Sequence, residues 1–398
     1  MSRTPSSPKV LIAAGGTGGH IYPALAMADA FRRLCPGVKV EFVGTPHGLE
    51  NKIIPPKGYK IHLLPVGRLN SNVPLWERLR TLTVLPWSFI KSARLLRRER
   101  PDFVLGVGGY VSGPVLLMAS LLGFRSAIWE PNAMPGMANR ILARFVDECW
   151  VVFEEARAFL KSRRLHTAGM PVRQEIEDVP ALTAGAAPAT TAPGAAPAPD
   201  RGGFHILVFG GSQGARGINN TVLAMVKEGG EGLRGCRIVH QTGAADFERI
   251  REGYAEIPRR AGSDGDLALP PVEVDVREYL HDMGNQYAQA DLVICRAGTG
   301  TLSELAACGK AAILIPFPFA SDDHQRKNAE NLRDKGAAVL ILQKDLTPES
   351  LRRSIVDLRE HPEKRKQMSE RIRNFHHPRA AEVLVAEFLE RINPDATC

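Results

Sequence analysis

Two apolar segments with the same surroundings dominate the pattern of hydrophobic and polar positions along the chain. Residues 9–14 (KVLIAA) and 204–209 (FHILVF) are short and apolar, and each runs directly into a glycine-rich turn and then a helix-like stretch. Short continuous apolar runs of this kind are typical of buried parallel strands. The repeated unit of strand, glycine turn and helix predicts two doubly wound α/β domains in tandem.

Further apolar runs alternate with helical stretches in both halves. They predict strands at 39–43, 103–107, 127–129, 148–152, 237–241, 292–295, 311–315 and 338–342. We therefore place an N-terminal domain at 1–175 and a C-terminal domain at 204–375. A linker rich in Ala and Pro, at 176–203, lacks apolar periodicity and is expected to be flexible. The last segment, 376–398, contains an amphipathic helix that we expect to join the N-terminal domain.

Composition narrows the class of protein. The 398 residues are 44% hydrophobic and 24% charged, which excludes a predominantly disordered chain. No apolar run approaches the roughly 20 residues of a transmembrane helix. The N-terminal apolar run lacks the features of a secretory signal, so we expect a cytosolic protein. Six cysteines include no CxxC pair, which argues against a zinc framework.

The net charge of +8 is concentrated in one segment. Residues 68–100 hold eight basic side chains against two acidic ones, interleaved with large apolar residues. This composition fits an anionic membrane surface, a core helix with solvated cations, or a nucleic-acid site. The apolar residues favour the first two, so no nucleic acid is expected. The candidate membrane patch consists of Leu75, Trp76, Leu79, Arg80, Trp87, Phe89, Lys91 and Arg94.

Three glycine-rich turns carry the candidate chemistry. GGTGGH at 15–20 and GGSQGAR at 210–216 each follow a predicted strand, and GVGGYVSGP at 106–114 is a third such turn. None is a P-loop or a GxGxxG dinucleotide fingerprint. Each alone is either a tight connection or a place where backbone N–H groups approach a phosphate. The first two, at matching places, favour phosphate.

Two further features allow a functional and a structural interpretation. His20 lies at a predicted helix N-terminus, whose dipole favours a neutral imidazole, and is either a general base or a backbone-capping residue. The segment 297–304 follows a predicted strand and suits a nucleoside diphosphate, with Glu304 on the ribose; a capping box of Thr301 and Glu304 is the alternative.

The run at 322–325 (DDHQ) resembles a metal site. Adjacent acids and a histidine in a loop are more often capping and solvated groups, so we expect no metal.

Together these blocks resemble the MurG family of peptidoglycan glycosyltransferases, and they occur in the family's order over about residues 10–383. The blocks are GGTGGHIYPA at 15–24, GVGGYVSGP at 106–114, EPN at 130–132, GMPVR at 169–173, GGSQGAR at 210–216, CRAGTGTLSE at 295–304 and PFPFASDDHQRKNA at 316–329.

The resemblance implies a GT-B fold, in which two Rossmann-like domains face each other across a cleft. It also implies an inverting transfer of GlcNAc from UDP-GlcNAc to the 4-hydroxyl of MurNAc in undecaprenyl-diphosphate-linked muramyl-pentapeptide. This step converts lipid I to lipid II in peptidoglycan synthesis, and so serves cell shape and division. No cofactor is implied.

The family's functional positions fall on matching residues of this chain. The N-terminal domain would serve the acceptor and the membrane, and the C-terminal domain the donor. The implied substrate-binding residues are Thr17, Gly18, Gly19, Asn132, Arg173, Ser212, Leu280, Thr299, Gly300, Thr301, Leu302, Ser303, Glu304 and Gln325. His20 is the first candidate for the catalytic base, and Glu130 is the reserve.

The resemblance also implies partners and a location. The expected partners are the two substrates, an anionic membrane surface and other cell-wall synthesis enzymes, at the cytoplasmic face of the bacterial inner membrane. Two rivals are a sugar-nucleotide epimerase or glycolipid synthase of the same fold, and a scaffold that binds UDP-sugar without turning it over. Two departures from the family stand out: Ala297-Gly298-Thr299 where many members have Ala-Gly-Ala or Ser-Gly-Ala, and the Ala/Pro-rich linker.

Overall fold

The structure, a computed structural model, divides the chain into two compact units. The first comprises residues 1–173 and 377–398, and the second comprises residues 174–376. The residues described are 7–16, 18–46, 48–67, 75–180, 203–211, 213–229, 231–257, 272–320 and 323–392, and the described side chains of the long third helix begin at residue 83.

The first unit is built on a parallel sheet. Seven strands pair in the order β3-β2-β1-β4-β5-β6-β7 among its described residues. They are β1 (Lys9–Ala14), β2 (Lys39–Gly44), β3 (Lys60–Leu63), β4 (Phe103–Gly108), β5 (Ser126–Glu130), β6 (Glu148–Val151) and β7 (Leu165–Thr167). The three central strands β1, β4 and β5 are almost wholly buried, as expected for a sheet with helices on both faces.

Helices cover both faces of this sheet. They are α1 (Gly18–Leu34), α2 (Glu50–Ile53), α3 (Leu75–Glu99), α4 (Ser112–Leu121) and α5 (Met137–Leu142), joined by the C-terminal helix α14 (Ala380–Ile392). The last helix packs on α1, and its Phe388 contacts the rings of Phe31, Phe103 and Trp150. The C-terminal helix is thus part of the core of the first unit, although it follows the second unit in the sequence.

The second unit repeats the arrangement. Six parallel strands pair in the order β10-β9-β8-β11-β12-β13 among its described residues. They are β8 (Phe204–Phe209), β9 (Cys236–Gln241), β10 (Glu273–Arg277), β11 (Leu292–Cys295), β12 (Ala312–Leu314) and β13 (Val339–Leu340). Its helices are α6 (Gln174–Glu177), α7 (Arg216–Glu228), α8 (Phe247–Ala255), α9 (Met283–Gln289), α10 (Thr299–Cys308), α11 (His324–Asp334), α12 (Pro348–Glu360) and α13 (Pro362–Arg373).

The beginning of the predicted linker is packed in the second unit. Ile176 and Val179 are fully buried, and α6 contacts α9 and α10. The rest of the linker, 181–202, lies outside the described residues.

The predicted fold class, two doubly wound parallel α/β sheets, is confirmed. All ten strands predicted from apolar runs form, with ends that shift by no more than two residues. β3, β7 and β10 were not predicted. Each lies at a sheet edge and has no fully buried residue, so its sequence carries no continuous apolar run.

Candidate functional site

The glycine turns lie where each sheet reverses its strand order. In an open parallel sheet, ligands bind beyond the carboxyl ends of the strands at this switch point. In the first unit the switch lies between β1 and β4, which are followed by the turns at 15–20 and 108–112. In the second it lies between β8 and β11, which are followed by 210–216 and 296–299. Each unit therefore carries two loops at the position expected for a ligand.

The two turns of the first unit pack so closely that only glycine, which has no Cβ, fits at the contact. Gly109 has φ +84°, and a Cβ there would lie 2.3 Å from the Gly15 carbonyl oxygen. Gly108 has φ +118°, and its Cβ would lie 2.5 Å from the His20 imidazole. The buried Ser112 hydroxyl donates to the Ala13 carbonyl at 3.0 Å, which joins the ends of the two strands.

His20 lies in the first turn of α1, with its ring against Gly108. Its Nδ1 lies 3.3 Å from the Gly15 carbonyl oxygen. A carbonyl oxygen only accepts, so this contact requires a proton on Nδ1 and places the lone pair of the neutral ring on Nε2. The geometry therefore provides an imidazole whose Nε2 is a proton acceptor at the switch point of the first unit.

Glu50, which the sequence did not single out, supports the first glycine turn. Its carboxylate is fully buried and accepts the Gly16 N–H at 3.1 Å and the Thr45 N–H and hydroxyl, both at 2.8 Å. It thereby fixes the glycine turn that precedes α1. No apolar periodicity or motif surrounds Glu50, so only the fold reveals this contact.

Glu130, the reserve base, ends β5 and holds the loop that follows it. Its side chain is 2% exposed. Oε1 accepts from the backbone and side-chain amides of Asn132, at 2.9 and 3.1 Å, and Oε2 accepts from Asn139 Nδ2 and Gly136 N, at 2.8 and 3.2 Å. Burial raises the pKa of Glu130, while these donors act in the opposite direction. Four donors on one carboxylate fix the position of Asn132, a predicted substrate contact.

The remaining predicted residues of the first unit lie at or near the start of α1. Gly18 and Gly19 form its first turn, and Thr17 lies outside the described residues. The Arg173 guanidinium lies 5.5 Å from the ring centroid of Tyr22, which also belongs to α1. The structure thus brings Gly18, Gly19, His20 and Arg173 to one helix of the first unit.

The glycine turn of the second unit, at 210–216, packs against the end of β9 and the loop that follows it. Gly214 has φ +75°, and a Cβ there would lie 1.8 Å from the Thr242 carbonyl oxygen. Gln241 Nε2 donates to the Gly211 carbonyl at 3.1 Å. Asn219 of α7 donates to Thr242 O at 2.9 Å. Ser212, a predicted donor contact in this turn, lies outside the described residues.

A buried histidine supports the same turn. His240 is fully buried on β9, and its Nε2 donates to Asn219 Oδ1 at 3.1 Å while the Tyr254 hydroxyl donates to its Nδ1 at 3.0 Å. The NH₂ group of Asn219 donates to Thr242 and Asp246. Its side-chain oxygen is therefore the atom that accepts from His240. Burial lowers the pKa of His240 to about 4. The imidazole is therefore neutral in the folded protein at neutral pH.

This histidine predicts a pH-dependent stability. Unfolded His240 takes up a proton near pH 6.5, but the folded protein does so only near pH 4. The unfolding free energy is therefore highest above pH 6.5 and falls as the pH drops to 4, by about 1.4 kcal/mol per unit from this residue. His240→Gln should remove this contribution to the pH dependence of the unfolding free energy, measured by chemical denaturation of the second unit. His205→Gln, on β8, is the matched control; parallel profiles for wild type and His240→Gln would contradict the assignment.

The loop after β11 opens α10 without a side-chain cap. The N-cap residue is Gly298, around which an added Cβ would meet no atom within 4 Å. The capping box considered for Thr301 and Glu304 is therefore not formed. Asn328 of α11 is fully buried and donates to the Thr299 hydroxyl at 3.2 Å, which couples the start of α10 to the helix that carries Gln325.

The predicted donor residues cluster on the loops at the carboxyl edge of the second sheet. Thr299, Gly300, Thr301, Leu302, Ser303 and Glu304 form the first turns of α10. Gln325 Oε1 accepts the Phe317 N–H at 3.0 Å, and Leu280 is buried in the loop after β10. The Tyr287 hydroxyl donates to Glu304 Oε2 at 3.0 Å.

Arg296 adds a buried positive charge that was not predicted as a functional residue. It directly follows β11, is 9% exposed, and donates to the carbonyls of Ile315 and Pro316 at 3.0 and 2.9 Å. Burial lowers its pKa to about 10, so it remains a cation at neutral pH. Its charge and the N-terminus of α10 favour an anion at this edge of the sheet.

One group of acidic and histidine side chains in the described part of the chain has the spacing of a metal site. Glu41, His62 and Glu99 approach one another within 4.8 Å. Lys9 and Lys60 already lie against these carboxylates, at 3.4 and 3.3 Å from Glu41. Ammonium groups thus supply the positive charge there. The run at 322–325 begins α11 at His324, and Asp322 lies outside the described residues.

Known proteins match both units. The glycosyltransferase family 28 N-terminal domain matches residues 10–151, and the family 28 C-terminal domain matches residues 205–384. A UDP-N-acetylglucosamine–N-acetylmuramyl-(pentapeptide) pyrophosphoryl-undecaprenol N-acetylglucosamine transferase from Bdellovibrio bacteriovorus is 44% identical, over 96% of this chain and 98% of its own. The chain belongs to the MurG family.

Other members and a crystal structure agree with this assignment. The Myxococcus xanthus enzyme of the same name is 41% identical, over 94% of this chain and 91% of its own. The crystal structure of Acinetobacter baumannii MurG matches with a TM-score of 0.71 at 29% identity, covering 96% of this chain and 99% of that one. The MurG resemblance predicted from the sequence blocks is confirmed, and the chain is a glycosyltransferase.

Proposed function

We propose that this MurG-family protein transfers GlcNAc from UDP-GlcNAc to the 4-hydroxyl of MurNAc in undecaprenyl-diphosphate-linked muramyl-pentapeptide. The observation that carries the proposal is similarity over nearly the whole chain to proteins named for this reaction. The loops at the two switch points support it, because each unit offers glycine turns and a helix N-terminus where a diphosphate binds.

The second unit would bind the donor. The start of α10, with Thr299, Gly300, Thr301, Leu302 and Ser303, and the turn containing Ser212 would hold the diphosphate. Glu304 would accept from the ribose, the backbone of Leu280 would hold the uracil, and Gln325 would contact the sugar. The buried cation Arg296 and the α10 N-terminus would stabilise the negative charge that develops on departing UDP.

The first unit would bind and activate the acceptor. Thr17, Gly18 and Gly19 would contact diphosphate, and Asn132 and Arg173 would contact the donor. His20 Nε2 would take the proton of the acceptor hydroxyl while the hydroxyl oxygen bonds to the anomeric carbon of GlcNAc. The bond from that carbon to the diphosphate breaks with its electron pair on UDP, which inverts the configuration. His20, whose ring nitrogen accepts a proton, fits this role better than Glu130, whose two oxygens already accept four hydrogen bonds.

The same unit would dock on the cytoplasmic face of the inner membrane. No helix among the described residues is long and apolar enough to cross a bilayer. On α3, Trp87 and Ile90 are 46% and 44% exposed, and the cationic groups of Lys91 and Arg94 lie 5.7 and 5.5 Å from the Trp87 ring centroid. An exposed apolar face with flanking cations suits the headgroup region of an anionic membrane. Phe89 is half-buried, and the side chains of Leu75, Trp76, Leu79 and Arg80 lie outside the described ones.

Neighbouring helices of this unit carry further exposed apolar residues. α4 packs between α3 and α5, and its Leu121 is 64% exposed. Met137 and Ile141 of α5 are 60% and 55% exposed. These two residues share a shallow pocket with basic residues: it is lined by Met137, Arg140, Ile141, Arg144, Phe159 and Lys161. The membrane surface would thus extend beyond α3.

Replacing two apolar residues of α3 should weaken membrane binding without loss of fold. Trp87→Ser combined with Ile90→Ser removes large side chains that are nearly half exposed, each worth about 1–2 kcal/mol of transfer free energy. We expect co-sedimentation with vesicles of anionic phospholipid to fall at least tenfold at an unchanged melting temperature. Leu34→Ser, at the exposed end of α1, is the control. Undiminished binding of the double variant would refute the α3 surface.

UDP release with and without the lipid-linked acceptor separates the proposal from its rivals. The proposed transferase releases UDP at a rate that depends on the acceptor. An epimerase of the same fold would turn over UDP-GlcNAc without lipid, and a scaffold would bind the nucleotide without releasing UDP. Release that does not respond to the acceptor would overturn the proposal. Association with other cell-wall synthesis enzymes would follow from the same pathway.

A further inference from the structure

Tyr287 is a buried residue that contacts the two elements next to the donor-side loops, β8 and α10. Its side chain is fully buried in α9, and its hydroxyl donates to Glu304 Oε2 at 3.0 Å. Its ring lies edge-on to Phe209, with centroids 6.2 Å apart. Phe209 ends β8 and directly precedes the glycine turn at 210–216, while Glu304 lies on α10. One side chain therefore contacts the strand that leads into one switch-point loop and the helix that follows the other.

The hydroxyl of Tyr287 is a permanent donor. Burial and the neighbouring Glu304 carboxylate raise its pKa well above the ordinary value of 10, so the phenol keeps its proton. A buried hydroxyl costs free energy unless it is hydrogen-bonded, and a phenylalanine would fill the same space without needing a partner. The partner here is a half-buried carboxylate at the proposed nucleotide site. The hydroxyl is therefore better explained by what it does to Glu304 than by packing.

We infer that Tyr287 is a positioning residue for nucleotide recognition, whose hydroxyl holds the Glu304 carboxylate so that Oε1 accepts from the ribose hydroxyls of a uridine nucleotide. The inference rests on the proposed function, which assigns Glu304 to the ribose. A glutamate side chain has three rotatable bonds, and fixing it before the nucleotide arrives reduces the entropy lost on binding. The hydrogen bond from Tyr287, rather than one from water, then sets the orientation of the Glu304 carboxylate.

Binding of UDP and of 2′,3′-dideoxy-UDP, measured by calorimetry on the full chain, tests this role. The two ligands differ only in the hydroxyls that Glu304 would contact. Tyr287→Phe should weaken UDP binding about 3- to 10-fold, the range expected for the loss of one typical hydrogen bond, and should change dideoxy-UDP binding by less than about twofold. Glu304→Ala should remove the preference for UDP altogether.

The controls separate positioning from structure. Tyr254→Phe removes another hydroxyl bond in the same unit, to His240, and should leave the preference for UDP unchanged. If Tyr287→Phe does not fold, Tyr287→Met, which keeps a flexible apolar side chain of smaller volume and also removes the hydroxyl, makes the same test. Equal losses for both ligands in the Tyr287 variants would reduce its role to packing and overturn the inference.

A failure of the inference is distinguishable from a failure of the proposed donor site. If wild type prefers UDP and only Glu304→Ala abolishes the preference, the inference alone fails. If wild type binds both ligands equally, the ribose assignment of Glu304 fails, and the inference fails with it.

Discussion

Replacing His20 with alanine should lower the turnover of GlcNAc transfer by about 10²- to 10⁴-fold, the usual contribution of a general base. The Gly15 carbonyl fixes the proton on Nδ1, so Nε2 is the basic atom that alanine removes. His20 lies on the first unit, whereas the proposed diphosphate and ribose contacts of the donor lie mostly on the second. The KM for UDP-GlcNAc should therefore change by less than about threefold.

Two further readouts separate a base from a structural histidine. Added imidazole should restore part of the turnover of His20→Ala, because the cavity left by the ring accepts it. The acidic limb of the turnover–pH profile should disappear in the variant, since that limb reports protonation of the base. Near-normal turnover in His20→Ala, with the fold intact, would remove His20 from the role.

Replacing Glu130 with alanine should destabilise the first unit by about 3 kcal/mol, because four hydrogen-bond donors lose one buried acceptor group at once. The loop at 130–139 would lose the anchor that positions Asn132, so we expect KM for UDP-GlcNAc to rise more than turnover falls. Glu130→Gln keeps one acceptor oxygen but turns an NH₂ group toward donors, and should lie between wild type and alanine in thermal unfolding.

The Glu130 variants also decide between the two candidate bases. If Glu130 positions Asn132, stability and KM change together in both variants. If Glu130 is the base, Glu130→Gln loses turnover at least a hundredfold while its melting temperature stays near that of wild type. That second pattern would contradict the positioning role and return Glu130 to the mechanism.

The central part of each sheet could be predicted from the sequence because its strands are buried on both faces. Runs such as 9–14 and 204–209 must be apolar throughout, and this signal needs no partner to be recognised. The edge strands β3, β7 and β10 are half-exposed and polar, so their pairing is set by the neighbouring strand rather than by their own pattern. The sequence therefore predicts the switch points but not the width of the sheets.

The candidate site divides in the same way. Glycine turns and His20 stand next to predicted strands, so their sequence neighbours identify them. Glu50 and Tyr287 act through residues 34 and 17 positions away, and their roles arise only when the fold closes those distances. The capping box considered for Thr301 and Glu304 does not form for a local reason: the N-cap residue of the helix is Gly298, three residues before the hydroxyl that would have capped it.

The most direct test of the account follows the sugar itself. The protein is incubated with UDP-GlcNAc labelled in the sugar and with undecaprenyl-diphosphate-linked muramyl-pentapeptide, and the lipid fraction is extracted. We predict one labelled GlcNAc per acceptor, joined to the MurNAc 4-hydroxyl with inverted configuration, and one UDP released for each. The account would be contradicted if the protein binds UDP-GlcNAc but the label stays in the aqueous fraction. It would also be contradicted if the label enters the lipid fraction when this acceptor is absent.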